Sequence, residues 1–186
     1  MSKTSILFVQ GAGAGTHDAW DNKLVESLRT EIGNGFEIRY PLMPKEDDPN
    51  YLKWKTTIEK EFASPKDRII VVAHSIGGTI LINALADGMT IKTLAGVFLI
   101  AAPFVGDGGW PSEEISSMAD IGSRLTHAAP IYLYHGTNDD IAPVAHLDLY
   151  KKAIPKAIIR KLKGRDHQLN NDLSEVARDI QALHQG

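Results

Sequence analysis

Residues 69–78, Ile-Ile-Val-Val-Ala-His-Ser-Ile-Gly-Gly, decide the fold. Four consecutive β-branched aliphatics run into Ala73-His74-Ser75-Ile76-Gly77. A helical segment follows at once, with Ile80, Leu81, Ala84 and Leu85 on a stripe closed by Gly88. A strand that turns directly into a helix leaves a serine at the apex with its hydroxyl clear of the sheet. Such a turn is strained, so the residues two positions away on either side must be small for strand and helix to pass closely. Here they are Ala73 and Gly77. This small-x-Ser-x-small pattern is that of a nucleophile elbow, and it makes Ser75 the first candidate for a reacting atom. On its own a Ser-x-Gly also suits an ordinary N-cap, worth about 1 kcal/mol to its helix. The rest of the chain must separate the two readings.

Outward from this stretch, short apolar runs alternate with amphipathic segments. Strands are predicted over 6–10, 37–40, 69–73, 97–101, 131–135 and 157–162, several nearly continuous in apolar residues as expected of strands covered on both faces. Trp20, Leu24, Leu28 and Ile32 recur every fourth residue, with Gly33 as a stop signal. Leu173, Val176, Ala177, Ile180 and Leu183 line a last helix capped by Asn170 or Asn171. The alternation predicts a single α/β domain over residues 1–186: a mostly parallel six-stranded sheet with helices on both faces. The Glu46-Asp47-Asp48 run reads as a solvated loop.

Composition narrows the function. A chain of 186 residues can bury about two-thirds of its unfolded surface. A net charge of −3 offers no electrostatic basis for nucleic-acid or acidic-membrane binding. The absence of cysteine excludes disulfides, thiolate metal sites and a cysteine nucleophile. Only Ile6 to Val9 form an apolar run near the N-terminus, too short for a signal peptide or a membrane span, so a cytoplasmic protein is expected.

In an open α/β sheet, ligands meet the protein beyond the carboxyl ends of the strands. There the first strand leads into Gly11-Ala12-Gly13-Ala14-Gly15 and the third into Ser75. The fifth leads into Gly136-Thr137-Asn138-Asp139-Asp140-Ile141-Ala142-Pro143 and the sixth into Gly164-Arg165-Asp166-His167. A serine, a carboxylate and a histidine thus fall at one sheet edge. A serine hydroxyl needs a base to take its proton, an imidazole titrates near neutrality, and a carboxylate fixes the imidazole's tautomer. Ser75, His167 and Asp139 are the candidates for these roles. Asp140 competes with Asp139, and spacing to Pro143 favours Asp139. Among the other histidines, His74 is expected to pack beneath the elbow and His135 to order the acid loop. His184 falls on the polar side of the last helix, and His17, His127 and His146 read as surface residues. Backbone N–H groups of Ala12 and Ile76 are candidates for an oxyanion hole. The glycine-rich loop fails as a dinucleotide fingerprint, because Thr16 stands where glycine is required, and no Lys-Ser/Thr pair follows to make a phosphate loop. No pair of these residues has a helical two-histidine spacing, so neither a metal nor a cofactor is expected.

The order Ser75, Asp139, His167 resembles that of the α/β-hydrolase superfamily over essentially the whole chain. Gln10-Gly11-Ala12-Gly13 is similar to its His-Gly oxyanion loop, with Gln10 for histidine. Ala73-His74-Ser75-Ile76-Gly77 is similar to Gly-x-Ser-x-Gly, with alanine first, as in some small bacterial lipases. His135-Gly136-x-x-Asp139-x-x-Ala142-Pro143 resembles the acid loop, and Gly164-x-x-His167 the histidine loop. The length, together with Tyr40-Pro41-Leu42-Met43-Pro44 and Trp54, resembles compact bacterial esterases and the small serine hydrolases related to retinoblastoma-binding protein. The resemblance implies the α/β-hydrolase fold without its first two strands.

The resulting expectation is a serine hydrolase that cleaves a small or medium acyl ester through an acyl-enzyme, its partner a small-molecule acyl substrate. A hydrolase-fold binding or receptor protein, or an amidase or thioesterase with the same three residues, is the alternative. A minimal lid is expected over 104–129, with one short helix around 111–123 and Trp110, Ile115, Met118 and Leu125 to roof the pocket. Met43, Phe104 and Trp110 are the candidate substrate-contacting residues.

Overall fold

The computed structural model describes residues 4–62 and 68–185. Its elements are β1 (Thr4–Val9), a π-helical turn (Thr16–Asp21), α1 (Asn22–Ile32), β2 (Phe36–Arg39), α2 (Tyr51–Phe62) and β3 (Ile69–His74). There follow α3 (Ser75–Ala86), β4 (Leu94–Ile100), α4 (Ile121–Arg124), β5 (Ile131–Gly136), α5 (His146–Ala153), β6 (Ile158–Leu162), a 3₁₀ turn (Leu169–Asn171) and α6 (Ser174–Gln185). All six expected strands form. They make one sheet in the order β2-β1-β3-β4-β5-β6, and every neighbouring pair is parallel.

The period of two along each strand builds two cores. Leu7, Val9, Val71, Ala73, Val97 and Leu99 face α2, α3 and α5, where Trp54, Ile58 and Leu81 are buried. Ile6, Phe8, Ile70, Val72, Phe98 and Ile100 face α1 and α6, against Leu24, Leu28, Val176 and Ile180. The outermost strands β2 and β6 carry Glu37, Arg39, Arg160 and Lys161, and such charges keep exposed edges from pairing with other chains. Arg160 and the Tyr134 hydroxyl both bond Asp179 and anchor α6 to the sheet. No described helix is long and apolar enough to cross a membrane.

Several local expectations give way to tertiary context. Trp20 lies in the π-helical turn ahead of α1, which breaks the four-residue register, and it is 53% exposed. Asn170 and Asn171 adopt left-handed φ within the 3₁₀ turn, and the Ser174 amide donates instead to Asp172 Oδ1. The lid segment forms no helix over 111–123 beyond the single turn of α4. Glu114 holds that segment down by accepting bonds from Asn50 and the Tyr51 amide at the start of α2.

The chain runs from β1 outward to β2, then returns to the other side of β1 to form β3. The connections leaving β1 and β3 therefore diverge, and a crevice opens between their carboxyl ends. Across it, α3 passes so close to β1 that a Cβ on Gly77 would sit 2.0 Å from the Gln10 carbonyl oxygen. Helix propensity favours alanine over glycine by about 0.5–1 kcal/mol, but this clash is with backbone and cannot relax cheaply. Gly77→Ala should therefore lower unfolding stability by about 1–3 kcal/mol in denaturant melts. A variant as stable as the wild type would show that the approach is not close.

Candidate active site

β3 ends at His74 and α3 begins at Ser75 with no residue between them. The chain makes this turn by placing Ser75 at φ 49°, a region that costs a non-glycine residue about 1–3 kcal/mol and that clusters at functional sites. Ser75 Oγ lies 3.0 Å from His167 Nε2, and His167 Nδ1 lies 2.8 Å from Asp139 Oδ2. An ionised carboxylate can only accept, so Nδ1 carries the ring proton and Nε2 presents its lone pair to the Ser75 hydroxyl.

The Asp139 carboxylate is buried, and it is held from several sides. Oδ1 accepts the Ile141 and Ala142 amides at 2.9 Å each, and His135 Nε2 approaches Oδ2 at 3.0 Å while also donating to the Ala142 carbonyl. Burial pushes the Asp139 pKa up, but the bonds from His135 and His167 outweigh it and hold the carboxyl well below its ordinary range. Asp140 is exposed at the mouth of the cleft and, among the described residues, bonds none of these groups. The loops of Asp139 and His167 meet where Gly136 passes the Arg165 carbonyl, 2.1 Å from where a Cβ would lie.

The loop after β1 is framed by Glu46. Its carboxylate accepts the Gly15 and His17 amides and the Gln10 side-chain amide, and its carbonyl accepts the Gly13 amide. Gln10 Oε1 in turn accepts the Met43 amide at 2.9 Å. Only Asp47 and Asp48 of the acidic run are exposed. Glu46 fits the run by charge alone, and only the fold shows that three N–H groups converge on its carboxylate. Between these bonds the Ala12 amide is left free. Among the described residues neither it nor the Ile76 amide donates to a loop carbonyl or a side chain, and both residues line the cleft above Ser75.

That open cleft has a volume of about 460 Å³ and an apolar rim of Trp20, Trp110 and Ile141. Trp110 is where the sequence places it, presented by a tight loop in which its amide donates to the Phe104 carbonyl at 2.8 Å. Met43 and Phe104 do not line the cleft. Met43 is buried in the core beside Trp54, and the Phe104 ring packs edge-on against Tyr150 beneath the loop it anchors. Met118 is also buried, and Leu125 lines a separate depression at the amino ends of β5 and β6. Trp20 is a cleft residue that the helical spacing conceals.

His74 and His135 pack as the sequence indicates. His146 does not lie on the surface: it is buried, and its Nδ1 accepts the Phe104 amide. His127 is half-buried in the second depression. His17 stacks on Tyr40 with its Nδ1 2.6 Å from Asp18, and it is not among the residues that line the cleft at Ser75. Among the described residues no group of three or more His, Asp or Glu is arranged to hold a metal ion.

A family model described as serine hydrolase matches residues 6–169. The chain belongs to the serine hydrolase family. No protein of curated function matches this serine hydrolase at significant sequence similarity. Its fold is shared with Est1E of Butyrivibrio proteoclasticus, solved with ferulic acid bound, at a TM-score of 0.72 and 15% identity over 99% of this chain and 89% of that one. A monoacylglycerol lipase of Paleococcus ferrophilus superposes at 0.69 and 15% identity over 100% and 97%. The esterase domain of a Rhodothermus marinus protein does so at 0.66 and 17% identity over 98% and 87%. The serine hydrolase thus has the α/β-hydrolase fold and is a hydrolytic enzyme.

Because the folded pKa of Asp139 is depressed, its stabilisation is present above the unfolded value of about 3.9 and is lost only as pH falls through the lower folded value. Asp139→Asn should cost about 1.5–3 kcal/mol at neutral pH, as expected for hydrogen bonds to a charged group. Urea unfolding at a series of pH values should show the gap to wild type closing only below about pH 4. A gap that closes near neutrality would refute the ionised, hydrogen-bonded carboxylate.

Proposed function

We propose that this serine hydrolase cleaves small or medium acyl esters through a Ser75–His167–Asp139 triad. The observation that carries the reading is the unbroken chain of hydrogen bonds from Ser75 Oγ through both His167 nitrogens to Asp139, at 3.0 and 2.8 Å. Ser75 Oγ attacks the acyl carbon as its proton passes to His167 Nε2. Asp139 stabilises the imidazolium so formed. The tetrahedral oxyanion takes N–H bonds from Ala12 and Ile76, each worth roughly 3 kcal/mol in the transition state. The intermediate collapses, the alcohol leaves with the proton held on His167, and an acyl-enzyme remains on Ser75. Water then gives its proton to His167 as it attacks the acyl carbon, and the acid departs as Ser75 regains its hydrogen. No cofactor enters the cycle.

Esters are favoured over amides because the proteins of similar fold include an esterase domain and a monoacylglycerol lipase. The open cleft rimmed by Trp20, Trp110 and Ile141 suits a short apolar acyl group or an aromatic one better than a long chain that needs enclosure.

A fluorophosphonate probe should label the wild type and leave Ser75→Ala unlabelled, and a wild type without a Ser75 adduct would overturn the mechanism. With p-nitrophenyl esters, His167→Ala should lose roughly 10⁴-fold in turnover. Trp110→Ala and Trp20→Ala should alter the preference across an acyl-length series. Unchanged selectivity in both would remove these residues from the acyl site.

A further inference from the structure

Beneath Ser75 and His167 lies a second histidine–carboxylate pair that the proposed reaction does not use. The side chains of His74 and Asp21 are 2% and 0% exposed. His74 Nδ1 stands 2.9 and 3.0 Å from the two Asp21 oxygens. On the other side of the ring, His74 Nε2 is 3.1 Å from the backbone carbonyl oxygen of His167. Carboxylate and carbonyl oxygens only accept, so a neutral imidazole would turn one lone pair against an acceptor. Burial pushes the Asp21 carboxyl up, but His74 and the Gly11 amide outweigh it and keep it ionised, so both ring nitrogens carry hydrogen and His74 is an imidazolium. Asp21 is its counter-charge, and Asp21 Oδ2 also accepts the Gly11 amide at 2.7 Å. Burial opposes the His74 charge, and the Asp21 carboxylate outweighs it.

The three loops so joined are those that bear the chemistry. Gly11 precedes the Ala12 amide, His74 precedes Ser75, and the bonded carbonyl belongs to His167 itself. We infer that His74 and Asp21 are a positioning pair, a buried ionic bridge that holds the His167 backbone and the Gly11 loop at fixed distances from Ser75. The inference rests on the triad reading and adds the element that sets its spacing. Stability alone is a poor reason for this pair, since apolar residues of similar volume often match or exceed a buried ion pair. What apolar residues cannot do is grip a carbonyl and an amide in fixed directions, as charge-assisted hydrogen bonds do. The rings of His74 and His167 lie 4.9 Å apart, so a shift of the lower ring is felt by the upper one.

Asp21→Asn is the incisive variant, because it keeps shape and acceptor while removing the charge. It should lower kcat on p-nitrophenyl butyrate and the rate of fluorophosphonate labelling at Ser75 together, by about 10²-fold, the cost of a displacement near 1 Å at a reacting pair. KM should stay within about twofold, as expected when an interaction felt in the transition state is lost. Independently, ¹⁵N NMR of the wild type at neutral pH should show both His74 ring nitrogens protonated. Wild-type kcat and labelling rate in a folded Asp21→Asn would overturn the inference, and so would a neutral His74 in the wild type. A wild type that never labels would overturn the triad reading and this inference together, whereas equal labelling of the two proteins overturns this inference alone.

Discussion

Ser75 holds φ at 49° because strand and helix meet there without an intervening residue. That one strained turn places a hydroxyl at the carboxyl edge of the sheet and aims the α3 N-terminus at the same point. It also obliges α3 to cross β1 at backbone contact, where Gly77 alone fits against Gln10. The strain is sustained by the burial around it: β3 is covered on both faces, and α3 is the central helix, apolar on nearly every side. Two cores, one on each side of the sheet, thus converge on a single residue.

Around that turn the polar groups are arranged as connected pairs. Asp139 is fixed by two amides and His135 before it reaches His167, Asp21 is fixed by the Gly11 amide before it reaches His74, and Glu46 frames the loop that bears Ala12. Each carboxylate accepts at least two N–H bonds, and for the buried Asp139 and Asp21 that is how the charge becomes tolerable. The result is a rigid edge with little lid above it. Positioning comes from beneath the site, and the cleft rim is left to Trp20, Trp110 and Ile141.

The strands were legible because buried parallel strands are continuous apolar runs, and each of the six predicted segments forms within a few residues. Ser75, Asp139 and His167 were legible because strand ends in such a sheet share an edge, so a list of strands becomes a list of neighbours. Met43 and Phe104 also stand near strand ends, but they lie beneath the surface that the loops present and do not line the cleft. The π-helical turn hid Trp20 because its wider pitch breaks the register on which the spacing argument depends.

By itself, then, the amino-acid sequence determined the parallel sheet, the elbow and the strand ends that carry Ser75, Asp139 and His167, since these follow from local periodicity and from the topology of alternating strands and helices. Only the tertiary structure decided that Asp139 rather than Asp140 faces His167, that Glu46 turns its carboxylate onto the Gly15 and His17 amides, and that His74 meets Asp21 and the His167 carbonyl. Those choices depend on directions in space between residues as many as 93 positions apart. Hydrogen bonds are directional over a few ångströms, and no pattern along one chain records which way two distant loops will turn to meet.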